Sequence, residues 1–402
     1  MYGAQLIEAL RRAVLRNSAE LRSAGQPGAA VPTQASCSTQ APQLEFFGVG
    51  GERMRAAGCE TVVNAKDLSV VGITEILSHL PKIWGLFHKL IAEANRRKPD
   101  LAIVIDSPAF NWRVARQIHK RGVPVVYYVC PQFWAWRQGR VRLLRKYVTK
   151  ALVIFPFEEK FYRERGVDAS FVGHPLADLP CLKIDRATYA AQHGLDSAKQ
   201  WITIMPGSRV KEVRVNLPEI LNAASRLGPS YEFLLPVAPT LDRQFLQGLI
   251  GRRVEIHLVD EALPAMSQSR AGIIASGTAT VEAAVMGLPF VMVYRVSPLT
   301  YALGRPRVKV RHFAMPNLIA GEEVVPEFVQ DGFTAENVVN ELQKIVPEGP
   351  DRAKIIQELA QVKLRLRGET QDDLHPGDRA AQEVLALLPG ARAGTPAPTS
   401  GR

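Results

Sequence analysis

Two short stretches in the second half of the chain carry residues that could bind a diphosphate. The first, MPGSRVKEV (205–213), places Gly207, Ser208 and Arg209 between a predicted strand and a predicted helix. Glycine permits a tight turn, backbone N–H groups at a helix start favour an anion, and arginine adds positive charge. Taken alone, the pattern is equally typical of an ordinary turn with a surface arginine.

The second stretch, ASGTATVEAAVMGLPFVMVYR (275–295), begins where another predicted strand ends at Ser276. Gly277 and Thr278 open a helix, and Glu282 follows one turn inside it. A helix start can bind a diphosphate, and a carboxylate can accept hydrogen bonds from ribose hydroxyls, so the pattern predicts a nucleoside-diphosphate site. The alternative is a Gly-Thr helix cap beside a surface glutamate. This alternative is less favoured because two such turns occur in the same half of the chain.

An acidic residue in the first half is a candidate general base. The stretch VIDSPAFNWR (104–113) places Asp106 at the carboxyl end of an apolar strand. Ligands of doubly wound sheets bind at such strand ends, where a carboxylate can take the proton of an attacking hydroxyl. The alternative that stays open is an aspartate that caps the next helix.

Two further stretches of the first half could contact a lipid or sugar acceptor. CPQFWAWRQGR (130–140) brings Trp134 and Trp136 next to Arg137. Aromatic faces can hold a sugar ring or acyl chain, and arginine suits a phosphate. The alternative is a pair of core tryptophans.

The other stretch, residues 70–100, is apolar over more than one helical stripe and includes Ile83, Trp84 and Phe87. It is too polar to span a bilayer, but it could lie in the membrane interface or hold acyl chains. The alternative is a pair of amphipathic helices that cover the sheet.

The sequence predicts neither a cofactor nor a metal. No GxGxxG follows a predicted strand in the right context, which argues against a nicotinamide dehydrogenase. There is no DxD motif and no cluster of His, Cys and carboxylates at ligand spacing. Helix dipoles and Arg or Lys side chains would then carry the charge of a leaving diphosphate.

The elements that must position these residues alternate between short apolar runs and helical segments. Because most runs are apolar throughout, they indicate parallel strands covered on both faces, in a doubly wound α/β fold. The predicted strands are 44–50, 101–106, 124–130, 151–155, 201–205, 231–236, 254–259, 271–276 and 289–294.

The alternation pauses at 171–200, which we interpret as a linker between two Rossmann-like domains that face each other across a cleft. The predicted organisation is an acceptor- and lipid-binding domain at 1–175 with a flexible loop at 23–43, a UDP-sugar-binding domain at 176–349, helices at 350–388 and a disordered tail at 389–402. The sequence leaves open whether the helices at 350–388 pack on the first domain.

The composition is that of a globular protein with an anionic partner. The chain has 402 residues and a net charge of +11, which favours phosphorylated substrates or an anionic membrane surface. No nucleic-acid-binding signature is present, so nucleic acid is not an expected partner. Four widely spaced cysteines, and neither a signal core nor an apolar run of about 18–20 residues, predict a cytoplasmic protein that is soluble or peripheral on a membrane.

Together these motifs resemble the lipid-A-disaccharide synthase family, the glycosyltransferases of lipopolysaccharide assembly. The matching stretches, in order, are FFGVGGERMRAAGCE, LSVVGITEIL, IDSPAFN, PQFWAWR, FPFEEKFY, FVGHPLAD, MPGSR, ASGTATVE and MPNLIAGEEVVPEFVQ. The resemblance implies a metal-independent GT-B fold. It also implies inverting transfer of 2,3-diacylglucosamine from UDP-2,3-diacylglucosamine to 2,3-diacylglucosamine 1-phosphate (lipid X), which gives the β-1′,6-linked disaccharide 1-phosphate and UDP.

By position in the motifs, the resemblance implies that Asp106 is the base. It implies that Arg209, the helix start at 276–278, Glu282 and Asn317 contact the nucleotide. The apolar stretch at 70–91 corresponds to the membrane- and acyl-facing region of the family, which places the protein on the inner face of the inner membrane. The basic charge then suits two anionic lipid substrates; a homodimer stays open.

The family places a strand and a glycine-rich acidic loop before the segment that resembles YGAQLIEAL. The sequence therefore predicts an N-terminal domain without its first strand, either because the start lies upstream or because the chain is defective. Two rival functions remain: another GT-B enzyme with a UDP-sugar substrate, and a non-catalytic UDP-binding remnant.

Overall fold

We analysed a computed structural model, which describes residues 2–23, 44–68, 73–179, 182, 184–251, 255–368 and 374–388. The predicted loop at 23–43, beyond Ser23, and the predicted tail at 389–402 lie outside these residues. None of the helices in the described ranges is long and apolar enough to cross a membrane.

Twelve strands are found in the described residues. In chain order they are β1 (Phe46–Gly50), β2 (Cys59–Asn64), β3 (Ala102–Ile105), β4 (Val125–Tyr128), β5 (Lys150–Val153), β6 (Ala169–Phe171), β7 (Gln200–Met205), β8 (Tyr231–Pro236), β9 (Ile256–Val259), β10 (Ala271–Ala275), β11 (Phe290–Tyr294) and β12 (Glu327–Val329).

The described α-helices, also in chain order, are α1 (Tyr2–Ser23), α2 (Glu52–Ala56), α3 (Ile73–Arg97), α4 (Pro108–His119), α5 (Val141–Tyr147), α6 (Pro156–Arg163), α7 (Arg186–His193), α8 (Val210–Leu227), α9 (Arg243–Ile250), α10 (Ala262–Gln268), α11 (Thr278–Met286), α12 (Pro298–Gly304), α13 (Met315–Ala320), α14 (Ala335–Ile345), α15 (Pro350–Arg367) and α16 (Pro376–Leu385).

Each of the nine predicted strands overlaps an observed one, and the recorded strand pairs are all parallel. The doubly wound α/β fold is thereby confirmed. The prediction missed β2, β6 and β12. Two of these have only three residues, and β2 begins CETV, where a glutamate interrupts the apolar run.

The chain divides into two compact units. Unit 1 comprises Met1–Phe133, Gly139–Pro175 and Thr370–Arg402. It contains a two-stranded sheet, β1-β2, and a four-stranded sheet in the order β3-β4-β5-β6. Every residue of β4 is buried, as expected for a parallel strand covered on both faces. Helix α16 packs against α1 in this unit, where Arg12 forms an ion pair with Asp378 at 3.0 Å.

Unit 2 comprises Trp134–Gln138 and Leu176–Glu369. Its six strands run in the order β12-β11-β10-β7-β8-β9. Helix α8 buries Val213, Leu217, Ile220 and Ala224, which recur at helical spacing and form its core-facing stripe. Helix α15 packs against α11, α13 and α14 and so belongs to this unit.

Candidate functional site

In unit 2 the strand order brings the two predicted diphosphate turns together. Strands β7 and β10 are neighbours, and Met205 at the end of β7 pairs with Ile274 near the end of β10. Parallel neighbours finish at the same edge of a sheet, where ligands of doubly wound folds bind. Residues 207–209 and 276–278 therefore lie side by side at this edge, as the sequence analysis requires of one site.

The turn between β7 and α8 is shaped around a glycine. Gly207 has φ +126°, a backbone conformation that favours glycine. A Cβ atom here would lie 2.6 Å from Cβ and 2.8 Å from Oε2 of Glu212, which is closer than real Cβ atoms come. Glycine is needed because the first turn of the helix lies directly against it.

The N–H groups of this turn are already bonded to a carboxylate of the same helix. Oε2 of Glu212 accepts hydrogen bonds from the N–H groups of Ser208 at 3.1 Å and Arg209 at 3.3 Å. Its Oε1 accepts from Nη1 of Arg209 at 2.6 Å. This is a capping interaction, with glutamate at the third helical position. Glu212 was not among the residues predicted from the sequence, although a glutamate three residues after an N-cap residue is the usual signal of such a cap.

The start of α11 differs, because no side chain caps it. Gly277 precedes the helix at φ +151°, and the first turn carries no acidic residue. Thr280 bonds back to the carbonyl of Gly277 through its N–H and its hydroxyl. In the described part of the chain, the N–H groups of Thr278 and Ala279 have no hydrogen-bond partner. They are available to an anion.

Glu282 lies one turn further into α11 and is half-buried. Burial raises the pKa of its carboxyl group. Its carboxylate has no hydrogen bond or ion pair with the residues that the structure describes, although a buried carboxylate normally has partners. Ligand hydroxyls could satisfy it, as the sequence analysis predicts.

Asn317 is fully buried, and its side-chain amide forms its hydrogen bonds with other groups of the protein. Its amide nitrogen donates to the carbonyl of Val325 and to Oε1 of Glu327, and its oxygen accepts from the N–H groups of Val324 and Val325. The direct nucleotide contact that the resemblance implied is therefore not available to this side chain. The sequence could not reveal this, because most of the partners are backbone atoms of residues 324–325, which carry no residue-specific signal.

Asn317 instead supports the start of α11 through a chain of contacts. Glu327 accepts a hydrogen bond from Asn317, and it also accepts hydrogen bonds from the N–H groups of Phe313 and Ala314. The carbonyl of Phe313 in turn accepts a hydrogen bond from the hydroxyl of Ser276 at 2.9 Å. This hydrogen bond anchors Ser276, the residue before Gly277, to the segment at Phe313.

Tyr294, at the end of β11, is an aromatic residue of this edge that the sequence analysis did not single out. Its ring stacks on Phe313, with centroids 6.0 Å apart. Burial and the Glu212 carboxylate raise the pKa of Tyr294, whereas Arg209 lowers it. Tyr294 therefore lies close to the charged pair at the start of α8.

One group of described side chains has the composition of a metal site. Donor atoms of Glu232, Glu255 and His257 lie within 4.8 Å of one another. The ammonium group of Lys199 is 3.3 Å from Glu232 and 2.9 Å from Glu255, so a cation already pairs with both carboxylates. Glu232 and His257 lie near the amino ends of β8 and β9, at the edge of the sheet opposite the two turns.

In unit 1 Asp106 follows β3 in a strained conformation. Asp106 and Ser107 have φ 48° and 45°, and Val129, just after the neighbouring β4, has φ 57°. The carbonyl of Asp106 accepts hydrogen bonds from Oη of Tyr127 at 2.8 Å and Nδ2 of Asn111 at 2.7 Å. Left-handed non-glycine residues cluster at functional sites and persist only when such contacts hold them.

The carboxylate of Asp106 does not cap α4. The residue before that helix is Ser107, and no side chain forms a cap hydrogen bond there. Asp106 is an exposed residue whose backbone is fixed on both sides of the carboxylate. This geometry leaves the side chain accessible to a substrate proton.

The structure separates the two predicted acceptor tryptophans. Trp134 is buried, at 7% exposure. Its indole ring is therefore not exposed for the acceptor contact that the sequence predicts. Trp136 is 45% exposed, and the guanidinium of Arg137 lies over its ring at 4.3 Å. Only Trp136 and Arg137 of this stretch present the surface that the sequence analysis predicted.

The lipid-facing residues predicted on α3 are also divided. Phe87 is 5% exposed and belongs to the core cluster of unit 1, because its helix face packs on the sheet. Trp84 is 57% exposed and stacks on Phe87 from outside, and Ile83 is half-buried. Phe87 is therefore a core residue, and Trp84 is the exposed apolar group.

Comparisons with known proteins agree with this architecture. A family model described as lipid-A-disaccharide synthetase matches residues 23–384. The lipid-A-disaccharide synthase of Koribacter versatilis is 53% identical over 348 residues, which cover 86% of this chain and 91% of that protein. The lipid-A-disaccharide synthase of Acidobacterium capsulatum is 48% identical and covers 85% and 89%.

Among solved structures, the glycotransferase of kitacinnamycin superposes with a TM-score of 0.56 at 15% identity, over 97% of each chain. At this identity the likeness concerns the fold alone. A two-unit glycosyltransferase fold thus accompanies a sequence similarity that extends over most of the chain.

Proposed function

The chain belongs to the lipid-A-disaccharide synthetase family, and we propose that it joins two diacylated glucosamine units by transfer from a UDP-linked donor. Its fold is that of the GT-B glycosyltransferases. The donor is UDP-2,3-diacylglucosamine, and the acceptor is 2,3-diacylglucosamine 1-phosphate. The observation that carries the proposal is the uncapped start of α11 beside the unpartnered carboxylate of Glu282, in a chain of this family.

The diphosphate of the donor binds at the start of α11. The free N–H groups of Thr278 and Ala279 donate to phosphate oxygens, and Gly277 lets the phosphate approach because no side chain covers the helix start. The Glu282 carboxylate accepts hydrogen bonds from the ribose hydroxyls. Arg209 at the neighbouring strand end supplies positive charge as UDP leaves.

Asp106 acts as the general base on the acceptor. Its carboxylate takes the proton of the 6-hydroxyl as that oxygen attacks the anomeric carbon of the donor sugar. The bond from this carbon to the phosphate oxygen breaks with inversion, and UDP departs with the electron pair. The exposed side chain on a rigid, strained backbone supports this role.

Exposed aromatic groups of the first half of the sequence contact the lipids. Trp136 with Arg137 offers an apolar face and a cation, which suits an acylated sugar phosphate. Trp84, with Ile83 beside it, enters the membrane interface, so that the protein attaches peripherally to the inner face of the inner membrane. The net charge of +11 favours that anionic surface.

The test is disaccharide synthesis by the full chain. Purified protein is incubated with the two diacylated substrates in mixed micelles, and the disaccharide 1-phosphate and UDP are quantified. We expect both products in equal amounts, and none when UDP-N-acetylglucosamine replaces the acylated donor. Transfer from the unacylated donor would favour a different GT-B enzyme, and UDP binding without turnover would favour a non-catalytic remnant.

A further inference from the structure

The proposed reaction assigns no role to Glu212, although this residue contacts three donors of the β7–α8 turn that could bind a phosphate. Its two oxygens bind the N–H groups of Ser208 and Arg209 and the guanidinium of Arg209. Those three donors, in one concave turn beside the start of α11, are the groups with which a diphosphate would interact. The carboxylate thus stands where an anionic ligand could bind.

The turn keeps its shape independently of Glu212. The carbonyl of Pro206 accepts a hydrogen bond from Asn216 at 3.0 Å, and the carbonyl of Ser208 accepts one from the hydroxyl of Thr240. These contacts hold the carbonyl groups of Pro206 and Ser208 without any part of Glu212. Glu212 therefore fills a preformed set of donors and is not needed to create it.

Glu212 can also move away from these donors. Its side chain is 32% exposed and that of Arg209 is 77% exposed, so the ion pair lies at the solvent boundary. An exposed pair of this kind contributes little net free energy, and a stronger anion can separate it. Helix α11 offers no comparable competitor, since its first turn has no acidic residue.

We propose that Glu212 sets the affinity for the nucleotide by competing with the diphosphate for Arg209 and for the N–H groups of the β7–α8 turn. This inference rests on the proposed nucleotide site at the neighbouring start of α11. UDP binds at the start of α11, and its diphosphate contacts Arg209 only when the ion pair between Arg209 and Glu212 is broken. When UDP leaves, the carboxylate returns to these donors, which speeds the release of the anionic product.

The test is UDP binding to the full chain by titration calorimetry, with two substitutions at position 212. Glu212→Gln keeps the shape and the capping oxygen but removes the charge, and Glu212→Ala empties the turn. We expect UDP to bind most tightly to Glu212→Ala, less tightly to Glu212→Gln and least tightly to the wild type. The gain in UDP affinity for Glu212→Ala should be about tenfold, the size of one charge-assisted hydrogen bond. In an Arg209→Ala background the gain from Glu212→Gln should shrink.

The matched control is Asp185, whose carboxylate caps α7 through the N–H of Thr188 at 2.8 Å. Asp185→Ala also removes a carboxylate that caps a helix start, before the amino end of β7, and should leave the UDP affinity unchanged. Tighter binding is a result that structural damage does not produce. Should the Ala variant fail to fold, the Gln variant, which keeps a capping oxygen, still tests the charge.

The outcomes separate the two proposals. Tight UDP binding by the wild type, with equal or weaker binding by Glu212→Gln, overturns the role of Glu212 and leaves the nucleotide site intact. No UDP binding by the wild type overturns the nucleotide site and this inference with it. Tighter binding in the Asp185→Ala control as well would also overturn the role of Glu212.

Discussion

Two strand ends of unit 1 and two of unit 2 are built in different ways. In unit 1, after β3 and β4, the left-handed positions are occupied by Asp106, Ser107 and Val129, which carry side chains. In unit 2, after β7 and β10, they are occupied by Gly207 and Gly277. Glycine turns expose backbone N–H groups, which suit a diphosphate, whereas a strained side-chain residue projects one chosen functional group.

Under the proposed function, the difference means that binding and chemistry have separate structural costs. The glycine turns of unit 2 adopt their conformations without steric strain. The backbone at Asp106 needs hydrogen bonds from Tyr127 and Asn111 to stay in place. A change in unit 1 should therefore affect turnover, and a change in unit 2 should affect nucleotide affinity.

The largest expected effect tests the chemical side of this comparison. Asp106→Asn keeps the size of the side chain but removes the proton acceptor, so turnover should fall about 10²- to 10⁴-fold. UDP affinity should stay unchanged, because the residues that we propose to bind the nucleotide lie in unit 2. Steady-state kinetics and calorimetry on the same preparation measure both. Near-wild-type turnover in a folded Asp106→Asn protein would remove Asp106 from the mechanism.

The second prediction concerns the glycine turns. Gly207→Ala introduces a Cβ that overlaps Glu212, in addition to an unfavourable φ, and should lower the free energy of unfolding by about 1–3 kcal/mol. Gly277→Ala has an unfavourable φ but open space around the added Cβ, so it should be less destabilising. Urea unfolding of both variants gives the comparison. Equal losses would mean that the contact with Glu212 adds no strain.

The third prediction uses Glu282, whose pKa burial raises. A raised carboxyl pKa means that the folded state binds the proton more tightly than the unfolded chain, so the ionised group lowers stability above that pKa. Glu282→Gln should therefore increase the free energy of unfolding at neutral pH, with the gain shrinking as the pH falls.

The same substitution should weaken UDP binding about tenfold, since the amide has one acceptor oxygen fewer for the ribose hydroxyls. Urea unfolding at several pH values and calorimetry with UDP measure the two effects. A Glu282→Gln protein with unchanged UDP affinity would place the ribose elsewhere, even if its stability rises.

The smallest effect is expected at the membrane. Trp84→Ser removes one exposed apolar side chain of unit 1 and should lower the affinity for anionic vesicles by several-fold, with UDP affinity and unfolding unchanged. Phe87→Ser is the matched change at a buried ring of the same helix, and it should destabilise the fold instead. Vesicle co-sedimentation and thermal unfolding distinguish them. Unaltered vesicle binding by Trp84→Ser would move the membrane contact to another surface.

Much of the architecture follows from local patterns. Apolar runs between turn residues predicted nine of the twelve described strands. Asp106 and both glycine turns were predicted from their position directly after such runs. Periodicity and turn chemistry act over a few neighbouring residues, so a sequence can reveal them. The three strands that were missed are too short or too polar to carry such a pattern.

By itself, then, the sequence determined the parallel α/β fold, the positions of the strand ends and the residues that follow them. Only the tertiary structure decided what those residues touch. It buried Trp134 and Phe87 and bonded Asn317 to the residues at 324–327. Burial and hydrogen-bond partners depend on which elements become neighbours, and that choice is made between segments far apart in the chain.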